Sequence, residues 1–168
     1  MTEVASLKGP LTQLKAWLSA PLPSASLGAA RALFGLVMLY SLTRFTLSGW
    51  VEELWLKPSF HFKYDFAPWA KVYAPWQVWA QLTLAWLGAL GVTLGLYSRA
   101  SLALLSVNFI YLQLIDLTNY LNHYYLVACL SVVLMCLPAA HKSLSLDALR
   151  RPTEALPLAP RWALLLLR

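Results

Sequence analysis

Four apolar runs, at residues 27–47, 76–97, 100–115 and 120–139, limit what this chain can become more than any other feature. The first matches the ~20 residues an α-helix needs to cross ~30 Å of hydrocarbon. Hydrophobic residues make up 60% of the 168 and charged residues only 12%, far from the averages of soluble domains. In lipid every backbone polar group must be satisfied within the protein, which leaves helices or closed barrels, and runs of this length read as helices. The sequence predicts an all-α membrane protein: a bundle of four transmembrane helices, an N-terminal interfacial helix, an aromatic interfacial loop and the start of a fifth helix.

The parts follow from local composition. Residues 1–168 read as one membrane domain, with an N-terminal interfacial segment at 1–26, the four-helix bundle at 27–140, and a cytoplasmic loop with a truncated fifth helix at 141–168. In the first part LTQLKAWL sets Leu11, Leu14, Trp17 and Leu18 on one stripe, the pattern of a helix lying in the membrane interface. Arg31 and Arg44 stand near the two ends of the first span, where long side chains can snorkel. Residues 48–75, with PSFHFKYDF and PWAKVYAPW, are too polar to span and too rich in rings for a free loop, so they are expected to lie against the bundle. The closing WALLLLR would extend only ~10 Å as a helix. No secretory cleavage site follows the N-terminus.

The formal net charge of +6 would point to nucleic acid in a soluble protein, but here the basic residues flank apolar runs. With four spans, Lys8, Lys15, Arg99, Lys142, Arg150, Arg151 and Arg161 share one side. Lys57, Lys63 and Lys71 share the other, offset by Glu52, Glu53 and Asp65. The positive-inside rule then places the N-terminus and the segment after Pro138 in the cytoplasm. Arg44, His61, Asp116, Asn119, Asn122 and His123 fall together in one outer layer, with Arg44 and Asp116 as the natural ion pair.

Two explanations of that layer compete. Asn and Asp satisfy tight turns, and Tyr120, Tyr124 and Tyr125 would form an interfacial belt. Alternatively the polar groups line a cavity in the bundle. Cys129 and Cys136 are seven apart on one helix face without a nearby His or third Cys, and are expected to be buried, reduced thiols and not metal ligands. Gly88, Gly91 and Gly95, at spacings of three and four, permit close helix contact. A phosphate loop, GxSxG, HExxH and CxxC are all absent, so nucleotide, hydrolase and zinc chemistry have no support.

GALGVTLGLYSR, LIDLTNYLNHYYL, HKSLSLDAL and the P-x-W at Pro160 to Trp162 occur in this order. In these motifs the chain resembles the N-terminal membrane domain of vitamin K-dependent gamma-carboxylase and its bacterial relatives, also called the horizontally transferred transmembrane domain. The resemblance implies a lyase that uses vitamin K hydroquinone and oxygen to carboxylate a peptide glutamate, in a multi-pass protein of the bacterial inner membrane. It implies Asn122 and His123 as catalytic residues, with Arg44, His61 and Asp116 as candidates for holding the cofactor, and a structural Asp147. The family's catalytic lysine falls after the P-x-W helix start, and Lys57, Lys63, Lys71 and Lys142 match no such motif. The expectation is an N-terminal fragment or short relative that does not carboxylate alone. The competing expectation is a module that binds a quinone or lipid without turnover, or that serves as an assembly partner.

Overall fold

The computed structural model describes residues 9–137, 143–150 and 158–166. Helix α1, Pro10–Ser19, begins with proline in its first turn, where the missing N–H costs nothing. None of its residues is buried, and Leu11, Leu14 and Trp17 are exposed along it, as an interfacial helix requires. A short strand β1, Pro21–Pro23, leads into α2, Ala25–Leu47. An irregular stretch reaches α3, Pro75–Leu94, which a tight turn joins to α4, Ser98–Leu114. Helix α5 is Asn122–Cys136, and α6, Leu146–Arg150, lies beyond it. Strand β2, Leu158–Pro160, pairs antiparallel with β1 in the register Leu22 to Ala159 and passes directly into α7, Arg161–Leu165.

Helices α2, α3, α4 and α5 pack in sequence order, α2 on α3, α3 on α4 and α4 on α5. Their shared core holds Leu27, Phe34, Met38, Val78, Leu102 and Leu134, among others. Their outward faces are also apolar: Leu33, Val37 and Tyr40 on α2, Leu87 on α3, Val107 on α4 and Leu126 on α5 are exposed, the pattern of a bundle whose solvent is hydrocarbon. Helices α2 and α3 are long and apolar enough to cross a membrane. At 17 residues α4 matches its short expected span, whereas α5, at 15, is shorter than the run at 120–139 implied.

Small residues set the helix spacing. A side chain at Gly88 would meet the α4 backbone at Leu105 and Ser101, and one at Gly35 would meet the backbone of Thr93 in α3. Of the glycines expected to pack helices, Gly88 and Gly91 face α4, whereas Gly95 is the left-handed cap of α3 at φ 70 and faces Ser145.

One end of the bundle is tied by residues far apart in sequence, which corrects the expected snorkelling of Arg31. This guanidinium is fully buried and donates to Val92 O in the last turn of α3 and to Leu144 O at 2.5 Å. Leu144 has φ 48, a left-handed backbone that holds its carbonyl in that position. Asp147 Oδ2 accepts the N–H of Tyr97 at 2.6 Å, and Tyr97 is itself left-handed at φ 42 in the α3–α4 turn. Asp147 is thus a structural anchor, as the S-x-D resemblance implied. The cysteines are a second correction: Cys129 and Cys136 are free but exposed on the outer surface of α5. A helix does start at the P-x-W, and this α7 docks on α1, with Arg161 N–H donating to Ala20 O at 3.0 Å and its guanidinium 4.6 Å over the Trp17 ring. Lys8, His141, Lys142 and Arg151 lie outside the described residues.

Candidate functional site: an aromatic cavity at the loop end of the bundle

At the end opposite Arg31, where α2 and α4 finish and α3 and α5 begin, the loop between α2 and α3 folds onto the bundle. Gly49, at φ 73, turns the chain after α2, a conformation that costs glycine little. The chain then forms a π-helical turn, Glu52–Leu56, closed by Lys57 N–H to Glu52 O at 2.8 Å. Such turns are rare and occur often at functional sites. The turn brings Trp50 and Trp55 against Phe45, with ring centroids at 5.6 and 5.1 Å.

Between this aromatic group and the α4–α5 pair lies a cavity of about 510 Å³, within the range of small-molecule sites. One wall is the face of α2 bearing Met38, Leu42 and Phe45, with Trp50 and Trp55 beyond it. The facing wall is Phe109 and Leu112 of α4 with Tyr124 and Val127 of α5, and Leu82 of α3 closes it from the side. Phe109 and Tyr124 meet edge to face at 5.7 Å, so aromatic pairs stand on both sides. The polar lining consists of Ser41, Arg44, Ser48, Gln113 and His123, and none of the lining residues is acidic.

His123 and Arg44, assigned to one layer from the sequence, therefore meet at one cavity. His123 is the second residue of α5, exposed, its ring 4.4 Å from Tyr124, with no hydrogen bond to any described residue. Asn122, one residue earlier, is exposed and does not line the cavity. Arg44, in the last turn of α2, has no ion pair or hydrogen bond from its side chain among the described residues.

The expected Arg44–Asp116 pair does not form, because Asp116 is fully engaged elsewhere. Its Oδ2 lies 3.1 Å from His61 Nδ1, and its Oδ1 accepts from Thr118 N at 2.9 Å and Thr118 Oγ1 at 2.7 Å. Burial pushes this carboxyl upward, but the Thr118 bonds and His61 together outweigh it and hold Asp116 below the usual carboxylate range. Burial, aided by the nearby Tyr120 and Asp116, raises the Tyr64 phenol. Neither His61 nor Asp116 lines the cavity. Their pair pins the loop to the α4–α5 connection, together with Leu117 N–H to Phe62 O at 2.8 Å and Lys63 Nζ to Ile115 O at 3.5 Å. Asp116 and its neighbours thus serve the tight turn and seat the loop on it.

The sequence did not single out Trp50, Trp55, Phe45 or Gln113 for the site. The five-residue spacing of Trp50 and Trp55 is one π turn, a signal hidden because the segment read as irregular. Trp55 is 5% exposed, and its Nε1 is buried without a hydrogen-bond partner. Among the described lysines none lines the cavity: Lys57 pairs with Glu53, Lys63 bonds loop carbonyls, and Lys71 lies 4.7 Å over the Tyr73 ring.

A family model, the HTTM domain, matches residues 19–168, which takes in the cavity, the loop and the Arg31 tie. No curated protein and no solved structure matches the chain.

Proposed function

The chain belongs to the HTTM domain family, associated with vitamin K-dependent carboxylase-like membrane proteins, and from that premise we propose that it binds a quinone or hydroquinone ring in the loop-end cavity. The protein sits in the bilayer through four passes, with the loop end outward and the basic end in the cytoplasm. The observation that carries the reading is the cavity itself: about 510 Å³, walled by aromatic pairs on both sides, with His123 and Arg44 in its lining. A flat ring gains from offset or edge contacts with such walls, and a few polar groups fix its orientation.

The residues fit a hydroquinone on three counts. Phe45, Trp50 and Trp55 on one side and Phe109 and Tyr124 on the other would hold the ring. His123 has an unengaged imidazole to accept or return a proton beside it, and the apolar walls exclude water that would otherwise compete. When bound, the hydroquinone supplies the oxygen-driven base chemistry of the family; the chain's part is to hold, orient and exchange a proton at the His123 imidazole. A peptide glutamate would approach beside Arg44.

A second reading, a module that binds the ring without turnover, is favoured by the absence of lysine from the lining among the described residues. Both readings require ring binding. In nanodiscs a naphthoquinone should quench tryptophan fluorescence saturably through Trp50 and Trp55. Val127→Trp, which fills the cavity, should abolish the saturable phase, and His123→Ala should weaken hydroquinone binding with the fold kept. Equal quenching in wild type and Val127→Trp defeats the proposal. With binding established, carboxylation of a glutamate peptide separates the two readings.

A further inference from the structure

Arg44 lines the cavity with no ion pair or side-chain hydrogen bond among the described residues. The acid nearest in the sequence layer, Asp116, is taken by His61 and Thr118, and the described ion pairs are Lys57–Glu53 and His61–Asp116. Arg44 is exposed in the last turn of α2, where a guanidinium ordinarily pairs or reaches water. Its place in the last turn of α2 favours a cation through the helix dipole, which accounts for the position along the helix but not for its place on the cavity lining. There its polar neighbours, Gln113, Ser41 and Ser48, are neutral groups that both donate and accept, and no carboxylate lines the space. A cavity with flat apolar walls, a stationary positive charge and no acid complements an aromatic ring that carries an oxyanion.

Building on the ring-binding reading, we propose that Arg44 makes the cavity selective for the ionised form of its ligand, an aryl oxyanion over the corresponding neutral ring. Arg44 is thus a specificity-determining residue that neutralises ligand charge. A ring hydroxyl bound here gives up its proton more readily than the same hydroxyl dissolved in the bilayer, because only its ionised form gains the guanidinium.

The test uses the full chain in phosphatidylcholine nanodiscs and two probes with one ring: lawsone, a hydroxynaphthoquinone ionised at neutral pH, and its neutral O-methyl ether. Binding is read by tryptophan quenching, and the ionisation of bound lawsone by its visible absorbance against pH, each corrected with empty nanodiscs. Wild type should bind lawsone roughly tenfold or more tighter than the ether, the worth of one charge-assisted contact. Bound lawsone should ionise at lower pH than in empty nanodiscs. Arg44→Gln should bring the affinity ratio close to one and abolish the ionisation shift, with the circular dichroism melt unchanged. Arg44→Lys should restore part of both. Equal affinity for the two probes in wild type, or a ratio unchanged in Arg44→Gln, overturns the proposal while ether binding keeps the ring-binding reading intact. If neither probe binds, both fall.

Discussion

Replacing Gly88 by alanine tests whether α3 and α4 are held at backbone contact. A Cβ at Gly88 would lie 2.6 Å from Leu105 N and 2.9 Å from Ser101 O, both main-chain atoms of α4. Favourable separation for such atoms is about 3.5 Å, so the helices must part by roughly 0.5–1 Å, with loss of dispersion along the contact. Overpacking of this kind costs about 1–3 kcal/mol. Alanine recovers about 1 kcal/mol of helix propensity, leaving a net loss of up to about 2 kcal/mol. Gly91→Ala is the internal control, since its nearest neighbour is the Ser101 hydroxyl, a side chain that can swing away. That movement breaks the Ser101 Oγ bond to Leu96 O at 2.6 Å, worth about 1 kcal/mol, which the propensity gain offsets. Unfolding in mixed micelles by graded sodium dodecyl sulfate, followed by far-ultraviolet circular dichroism, should place Gly88→Ala clearly below wild type and Gly91→Ala beside it. If Gly88→Ala equals or exceeds wild type, the helices are not spaced by that contact and the packing argument fails.

Other outcomes follow from single contacts. Because the Asp116 carboxyl is held below its ordinary value in the folded protein, its contribution is complete above the unfolded value of about 3.9 and is lost as pH falls through the lower folded value. Micelle-unfolding midpoints should therefore drop from about pH 4 downward in wild type and drop less in Asp116→Asn. Tyr97 pays for a left-handed backbone at φ 42, so Tyr97→Gly should stabilise by about 1 kcal/mol, and a thermal melt showing a loss of that size contradicts the strain. Trp55→Phe removes a buried indole N–H that has no acceptor. Since an unpaired buried donor costs about 1–3 kcal/mol, the variant should unfold no earlier than wild type, and earlier unfolding means that the N–H has a partner.

The periodic apolar runs placed the helices well: α2, α3 and α4 start and end within a few residues of the expected spans. Their glycines announced the close packing, because the absence of a side chain has one main use between helices in lipid. The positions of single charges were less legible. Arg31 read as a snorkelling end residue, yet its partners are backbone carbonyls at Val92 and Leu144, and carbonyls leave no trace in side-chain chemistry. The sequence made Arg44 the natural partner of Asp116, whereas the loop, whose path depends on the left-handed Gly49 and the π turn, brings His61 to it instead. His123 was singled out by the family resemblance and not by its position alone, and it stands on the cavity lining. Trp55 was missed because tryptophan in an interfacial stretch has an ordinary explanation.

The tie at Arg31 also sets an order of assembly. Helix α2 is made early, but the acceptors of its guanidinium lie 61 and 113 residues later in the chain. While the later helices are still being synthesised, Arg31 has neither carbonyl and keeps its hydration, holding the start of α2 at the membrane surface. Only when α3 has formed through Val92 and the segment carrying Leu144 has returned to it can that arginine leave water. Burial of the start of α2 therefore waits on a segment made more than a hundred residues later.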